Sequence, residues 1–553
     1  MKLTEEGFKR VLEHTEQHFA WTMRNQITNT GDWKHGGIMS IGEGMVPYNS
    51  AGLLHTAGFL YFLEDSIYYK SKEVYTFAVK ALDFYERNMS EEGLMHFYMC
   101  NYKSAPDTSF TLIPLCEIYR FIQDKETDED GEYLKFRILK LIKTLADGVI
   151  AGGFHTPNHR WVISAALSMV VNITKDQKYM TRINEFLSEG IDCDEDGEYT
   201  ERSPGSYNRV NNEALLIMSK ELNMPHLLEF VARNLKMMTY YIDWDFRLFT
   251  NNSTRQDKGE NDRFLDMYYY QYLKTGYLLQ DKELLSIAKA IEDNNYRNGN
   301  KILLGLNTLI NEKELLGITD DVEPFKLKPF TKHFKKSGLV RIYHKDMTLT
   351  ILGDSPTFLY LRYKGLDMYI RGGINFFNER HIKVNNIQPI EDGFTMEYEG
   401  RGRYLLPLKE PQDLRDYRKF DMALRDTTPE QIVNMTIEIK KTDKGFEITT
   451  KSRGEKQVPV RYDIALNTGV LVRGDGYALR ANGGGILFPE KGYVKLDTGT
   501  CGLKIGPCVS ETYINQGLWG TIPLSQDDYH IFLSSITPFE QTFNLEPYDR
   551  YED

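Results

Sequence analysis

The sequence predicts a two-part α+β protein, an (α/α) toroid of helical hairpins followed by an antiparallel β-sandwich, and three observations predict it. Apolar residues recur at three- and four-residue spacing through the first part of the chain, up to about residue 310. Loops rich in Gly, Asn, Pro and Asp interrupt that pattern roughly every 50 residues, once per helix pair, which is the rhythm of hairpins set in a ring. Beyond a Pro-containing linker, Asp320 to Phe330, the pattern turns to short β-branched alternation. The toroid is therefore placed at residues 1–315 and the sandwich at 316–553, since a chain of 553 residues exceeds what one core usually supports. An irregular helical bundle is the plainer alternative to a ring.

The helical stripes are carried by Phe8, Val11 and Leu12, by Val74, Phe77, Ala78, Ala81, Leu82 and Tyr85, and by the runs Phe110 to Ile122, Leu134 to Ile150 and Leu284 to Ile291. Between them run the loops Asn29 to Gly37, Asn101 to Asp107, Gly152 to Asn158, Asp194 to Ser206 and Asn251 to Gly259. In the second half, Ser337 to Leu352, Val433 to Ile439, Gly445 to Thr450, Val458 to Leu466 and His530 to Ile536 read as strands. Turns at Arg473-Gly-Asp-Gly476 and Ala481-Asn-Gly-Gly-Gly485 separate others.

The net charge of −12, with Lys and Arg spread along the chain, turns the reading away from nucleic acid and from an anionic membrane surface. Aromatic residues make up 12%, with 35 tyrosines the largest share; flat rings suit a carbohydrate cleft and equally a Tyr-rich core. Cys100, Cys116, Cys193, Cys501 and Cys508 form no CxxC pair, so neither a disulfide framework nor a cysteine zinc site is expected. The N-terminus is amphipathic and charged, and no run approaches the roughly 20 apolar residues of a membrane span. A cytoplasmic protein is expected, or a secreted one if a leader has been removed.

Two segments carry the chemistry. Gly152-Gly-Phe-His155-Thr-Pro-Asn158-His159-Arg160-Trp161 breaks the backbone just before an apolar helical run, so Asn158 and His159 fall at a helix N-terminus. Free backbone N–H groups and the positive dipole end would meet a carboxylate there. Asp196-Gly-Glu-Tyr-Thr-Glu201-Arg202-Ser203-Pro-Gly-Ser-Tyr207-Asn-Arg209 does the same for Tyr207 and Arg209.

Such an arrangement suits removal of the carbon-5 proton of a uronic acid, where negative charge grows on the sugar carboxylate and fixed donors stabilise it with little reorganisation. Asn158 and His159 are the candidates for that role. Tyr207 serves as base or acid if guanidinium groups stabilise its phenolate, and Arg202 and Arg209 are nearest in sequence. His159, with an unperturbed pKa of about 6.5, competes as base. Glu201 is expected to orient His159 or Arg209. Asn101, Tyr102, Asp107, His155, Arg202 and Arg255 are candidates for sugar hydroxyls or charges, Trp33 and Trp161 for stacking, and His381 for reaching across from the sandwich. Each also has a plainer reading: Asn158 and Glu201 as caps, His159 as a packed histidine, the loop residues as turn builders, the tryptophans as core.

On the Asn158-His159 pair opening a helix, and on Asp196-Gly-x-x-x-Glu201-x-Ser203-x-x-x-Tyr207 one hairpin later, the chain resembles the heparinase II/III-like polysaccharide lyases. The resemblance covers the toroid and implies an incomplete (α/α) toroid followed by a sandwich. It further implies a carbon–oxygen lyase that cleaves a uronate-containing oligosaccharide or polysaccharide by β-elimination, with the Asn or His neutralising the carboxylate and the Tyr passing the proton. The family's His-x-His-x-Asp sequence is absent; Asn378-Glu-Arg-His381 is the nearest offering, which leaves the second His and a structural zinc open. No cofactor is expected, with a structural divalent metal left open. A uronyl carbon-5 epimerase, returning the proton to the opposite face, fits nearly the same residues. An (α/α)-toroid hydrolase would need two carboxylic acids, drawn from Asp107, Glu201 and Asp257. A non-catalytic glycan-binding protein is a fourth reading.

Overall fold

The computed structural model describes residues 5–38, 51–98, 100–295, 301–410, 415–499, 501–513 and 521–549. They form two compact units, one of residues 1–242 and 246–326, the other of residues 243–245 and 327–553. Residues 316–326 go with the helical unit, where Phe325 N donates to Ser286 O at 2.8 Å.

Twelve α-helices are found among the described residues: α1 (Glu5–Arg24), α2 (Ala51–Phe62), α3 (Lys72–Asn88), α4 (Ala105–Ile122), α5 (Glu129–Ala151), α6 (Pro157–Thr174), α7 (Met180–Ser188), α8 (Tyr207–Glu221), α9 (Leu227–Met238), α10 (Tyr269–Leu279), α11 (Lys282–Asn295) and α12 (Leu306–Asn311). Alternate helices pack on one another, α2 on α4, α4 on α6, α6 on α8 and α8 on α10, while α3, α5, α7, α9 and α11 form a second layer. This is an incomplete (α/α) toroid.

Sequence decides which layer a helix joins. In α6, every residue from Trp161 to Val171 is buried, as its unbroken apolar run requires of a helix surrounded by others. In α3, by contrast, only one stripe from Val74 to Tyr85 is buried, and the opposite face is polar. Two glycines set the closest approaches. A Cβ on Gly58 would lie 2.4 Å from Ile118 Cγ1, so α2 meets α4 at that point. One on Gly152 would lie 2.4 Å from the Ala105 Cβ, which seats the approach to α6 against the start of α4.

Among the described residues, the second unit is a β-sandwich of two nine-stranded sheets, with a separate two-stranded pair of Leu405–Leu408 and Arg425–Thr427. The first runs Phe330–Phe334, Leu339–His344, Met347–Leu352, Thr357–Tyr363, Leu366–Phe376, Pro459–Asn467, Asp528–Ile536 and Ile486–Leu487, with Glu379–His381 added beside Leu366–Phe376. The second centres on Gln431–Thr442, Gly445–Gly454 and Glu540–Asp549. Among the described strands, pairings are antiparallel except that of Ile486–Leu487 with Asp528–Ile536, which is parallel. One apolar core lies between the sheets, and the Tyr462 hydroxyl meets Thr450 Oγ1 across it at 2.8 Å. Ser337 to Leu352, which reads as one strand-like run, is a hairpin. Lys345 and Asp346 both take positive φ, 53° and 59°, in the turn type whose twist matches its flanking strands. Asp243, grouped with this unit, is completely enclosed, its carboxylate held by Arg341 and Arg362 at 2.8 and 2.5 Å.

Candidate active site

The starts of α6 and α8 and the Asn251 to Gly259 loop meet in the helical unit. Helix α6 opens at Pro157 after Thr156, whose side chain makes no capping bond, so Asn158 and His159 occupy an uncapped first turn. Helix α8 opens at Tyr207, whose N–H donates to Ser203 Oγ at 3.0 Å. The Ser203-Pro204-Gly205 turn before it is braced by Asp257, which accepts from Ser203 Oγ and Gly205 N, both at 2.8 Å, and from Ser253 Oγ. Asp257, one of the acids a hydrolase would need, is thus buried and fully occupied in holding the turn.

From the first helix start to the second runs an unbroken line of contacts. Asn158 Nδ2 donates to both carboxylate oxygens of Glu201, at 2.9 and 2.8 Å, and to Thr156 Oγ1 at 3.2 Å. Glu201 Oε1 pairs with Arg255 Nε at 3.3 Å. The Arg255 guanidinium in turn lies 4.5 Å from the centre of the Tyr207 ring. Thr254 ties the Arg255 loop to Glu201 O through both its N–H (3.2 Å) and its hydroxyl (2.9 Å). Burial pushes the Glu201 carboxyl above its ordinary value, opposed by the Asn158 hydrogen bond and the Arg255 charge.

His159 is buried, with its ring edge-on to exposed His155 at 4.7 Å between centroids. Its pKa falls to about 4, first because burial disfavours the imidazolium, then through His155 and Arg255, with Asp107 opposing. It is therefore a neutral imidazole at pH 7, and its Nδ1 makes no hydrogen bond. Asp107 accepts from Asn101 Nδ2 at 2.8 Å and from Ser104 Oγ, closing the start of α4 beside this group.

The structure thus brings together Asn158, His159, Glu201, Tyr207 and Arg255, with His155, Asn101 and Asp107 alongside. Glu201 binds Asn158 and Arg255, where sequence reasoning paired it with His159 or Arg209. Arg209 is exposed and lies 3.9 Å from Glu213, one turn along α8, and Arg202 acts on buried Tyr241; Arg255 is the guanidinium at the Tyr207 ring. Trp161 is completely buried and donates to Asp192 Oδ1 at 2.7 Å, so its indole packs the core instead of facing a sugar. Trp33 stands half-exposed, 5.6 Å from Tyr98, and Tyr102 stacks on His96 at 4.0 Å. His381 belongs to the second unit, where its Nε2 accepts from Ile522 N at 3.1 Å. Among the described residues no group of three or more His, Cys, Asp or Glu side chains is arranged to hold a metal ion, and no helix is long and apolar enough to cross a membrane.

By sequence the chain matches no family model and no curated protein. By structure it is similar to heparinase III, with a TM-score of 0.54 at 11% identity, over 91% of this chain and 77% of that one. It is similar to a Paenibacillus xanthan lyase, at 0.61 and 10%, and all of this chain spans 58% of that protein. A Streptomyces coelicolor A3 chondroitin AC lyase, solved in complex with chondroitin sulphate, matches at 0.57 and 10%, over 98% of this chain and 80% of that one. The chain has the fold of polysaccharide lyases, a helical toroid followed by a β-sandwich.

Proposed function

We propose that the protein is a carbon–oxygen lyase that cleaves a uronic-acid-containing oligosaccharide or polysaccharide by β-elimination. The observation that carries this reading is the contact line Asn158–Glu201–Arg255–Tyr207, which joins an amide, a carboxylate, a guanidinium and a phenol drawn from two helix starts and a loop. The polysaccharide-lyase fold supports it independently.

In the proposed reaction a base takes the proton from carbon-5, the electron pair forms the carbon-4 to carbon-5 double bond, and the glycosidic oxygen leaves carbon-4 with a proton. Charge accumulates on the uronate carboxylate as carbon-5 is deprotonated. Arg255 and the uncapped first turn of α6 supply positive potential for it, and Asn158 can release its longer bond to Thr156 to donate there. Arg255 also faces the Tyr207 ring, so one guanidinium serves both the carboxylate and a phenolate. Glu201 acts as the positioning residue, fixing Asn158 and Arg255 at once. His159, neutral at pH 7, is free to accept a proton and shares the acid–base work with Tyr207.

The test is ultraviolet absorbance of the unsaturated product over a panel of uronate oligosaccharides, with Tyr207→Phe alongside. The variant should lose about 10²- to 10⁴-fold in turnover while still binding substrate. Full activity in Tyr207→Phe removes Tyr207 from the chemistry, and no absorbance across the panel refutes elimination.

A further inference from the structure

The Asn29 to Gly37 loop, which no step of the proposed reaction uses, lies beside the turn that leads into Asn101 to Asp107, and both carry rings in water. The rings follow one another in series. Tyr102 stacks on His96 with centres 4.0 Å apart and planes 11° from parallel; His96 lies 6.1 Å from Tyr98, and Tyr98 lies 5.6 Å from Trp33. Tyr102 is 77% exposed, Trp33 52% and Tyr98 42%, in a helical unit that buries Trp161 completely. Large rings left in water and in contact with one another mark a surface that something else covers.

The row is held in place before any ligand arrives. Phe97 and Asn101 exchange N–H to carbonyl bonds of 2.9 and 2.8 Å, Ser104 N donates to Met95 O at 2.9 Å, and Met95 N donates to Thr108 Oγ1 at 2.8 Å. The Trp33 turn is closed by Asp32 N on Asn29 O and His35 N on Asp32 O, while Gln26 Nε2 ties Gly36 O to Phe77 O at 3.0 Å each. Rings fixed in this way lose little freedom on binding. One end of the row reaches the candidate active site: Asn101, next to Tyr102, donates to Asp107, and the Cys100 thiol, raised first by burial, also feels the charges of Asp107 and Arg255.

The surroundings select the occupant. Lys103 pairs with Glu92 at 2.7 Å and Lys34 with Asp32 at 3.6 Å, so the lysines of the two loops are balanced where they stand. Lys103 N donates to His96 Nδ1 at 2.9 Å, and a neutral His96 therefore carries its proton on Nε2. Each ring in the row thus pairs a flat apolar face with a polar tip, the form that meets the C–H face of a sugar while its hydroxyls stay hydrated. We infer that Trp33, Tyr98 and Tyr102 form a stacking subsite for the stretch of glycan that runs on from the cleaved uronate, so that the substrate is a chain longer than a disaccharide. The place of this subsite beside the reacting sugar rests on the lyase reading; binding to it is read with nothing turned over.

The test titrates di-, tetra- and hexasaccharides of hyaluronan and of alginate into the full-length chain carrying Tyr207→Phe, with calorimetry and tryptophan fluorescence as readouts. Affinity should rise with length, by about tenfold or more from disaccharide to hexasaccharide, and the hexasaccharide should change the fluorescence. Adding Trp33→Ala should weaken the hexasaccharide roughly three- to tenfold, whereas Trp33→Phe should keep most of the affinity and lose the fluorescence change. Should Trp33→Ala fail to fold, Tyr102→Ala, at the most exposed ring, carries the same comparison. Equal affinity at all three lengths, no binding of either series, or a length gain untouched in the alanine variants overturns the proposal. So does a dimer, seen by sedimentation, that Trp33→Ala dissociates without altering glycan affinity, since a second copy is then the occupant. A length gain that persists when the unaltered chain yields no ultraviolet-absorbing product would refute elimination and leave the subsite standing.

Discussion

His159 in the helical unit and His530 in the sandwich are both buried, yet their basicities move in opposite directions. At His159 burial dominates and the pKa falls to about 4. At His530 burial also lowers it, but a hydrogen bond and charge from Asp463, with the Ser525 carbonyl on the other nitrogen at 2.9 Å, raise it above the ordinary value. The difference lies in where the nearest carboxylates are spent. Glu201 is taken by Asn158 and Arg255, and Asp107 by Asn101 and Ser104, so none bonds His159. A buried imidazole without a bonded carboxylate loses basicity and stays neutral; one with such a partner gains basicity, and the pair builds structure.

Removing the sandwich partner should have the largest effect on stability. Asp463→Asn leaves His530 without its counter-charge in a dry site and should destabilise the fold by about 3–5 kcal/mol, read by denaturant unfolding. An effect well under 1 kcal/mol would mean that the pair is solvated and the contrast false.

The pH dependence sharpens the comparison. Because the folded His159 pKa lies below the unfolded value near 6.5, the unfolded chain binds more protons between the two. His159 should therefore cost the fold roughly 3 kcal/mol as pH falls from about 6.5 to 4, and nothing above that window. His530 runs the other way: its contribution is complete below about pH 6.5 and is lost as pH rises through its raised folded value. His159→Gln should flatten the acid limb of a stability–pH profile and leave the alkaline limb in place. An unchanged acid limb would place the titration elsewhere.

A smaller effect is expected at Glu201. Glu201→Gln keeps an acceptor for Asn158 but removes the charge that holds Arg255, so turnover should fall about ten- to a hundredfold with little change in melting temperature. Loss of folding instead of turnover would make Glu201 a structural group only.

Much of this architecture was legible in the sequence because its signals are local. The 3.6-residue stripes give α3, α4, α5 and α11, and Gly/Pro breaks before apolar runs put Asn158 and Tyr207 at helix starts. What pairs with what was not legible, because it depends on contacts between segments far apart in the chain. Arg255 reaches the Tyr207 ring from a different loop, while Arg202 and Arg209, nearer in sequence, point elsewhere: two residues along a helix turn the side chain to another face. Trp161 sits two residues past His159 yet is core, since α6 is surrounded by other helices. In the sandwich, the pairing of strand Leu366–Phe376 with Pro459–Asn467 and Glu379–His381 is a matter of register, which alternation alone does not specify.

The most direct test is the reaction run in deuterium oxide with a defined uronate oligosaccharide, its products followed by absorbance and mass. Shorter fragments should appear, one of each pair carrying the unsaturated, ultraviolet-absorbing uronate. An unbroken chain that gains deuterium at carbon-5 without new absorbance would contradict elimination and point to epimerisation by the same residues.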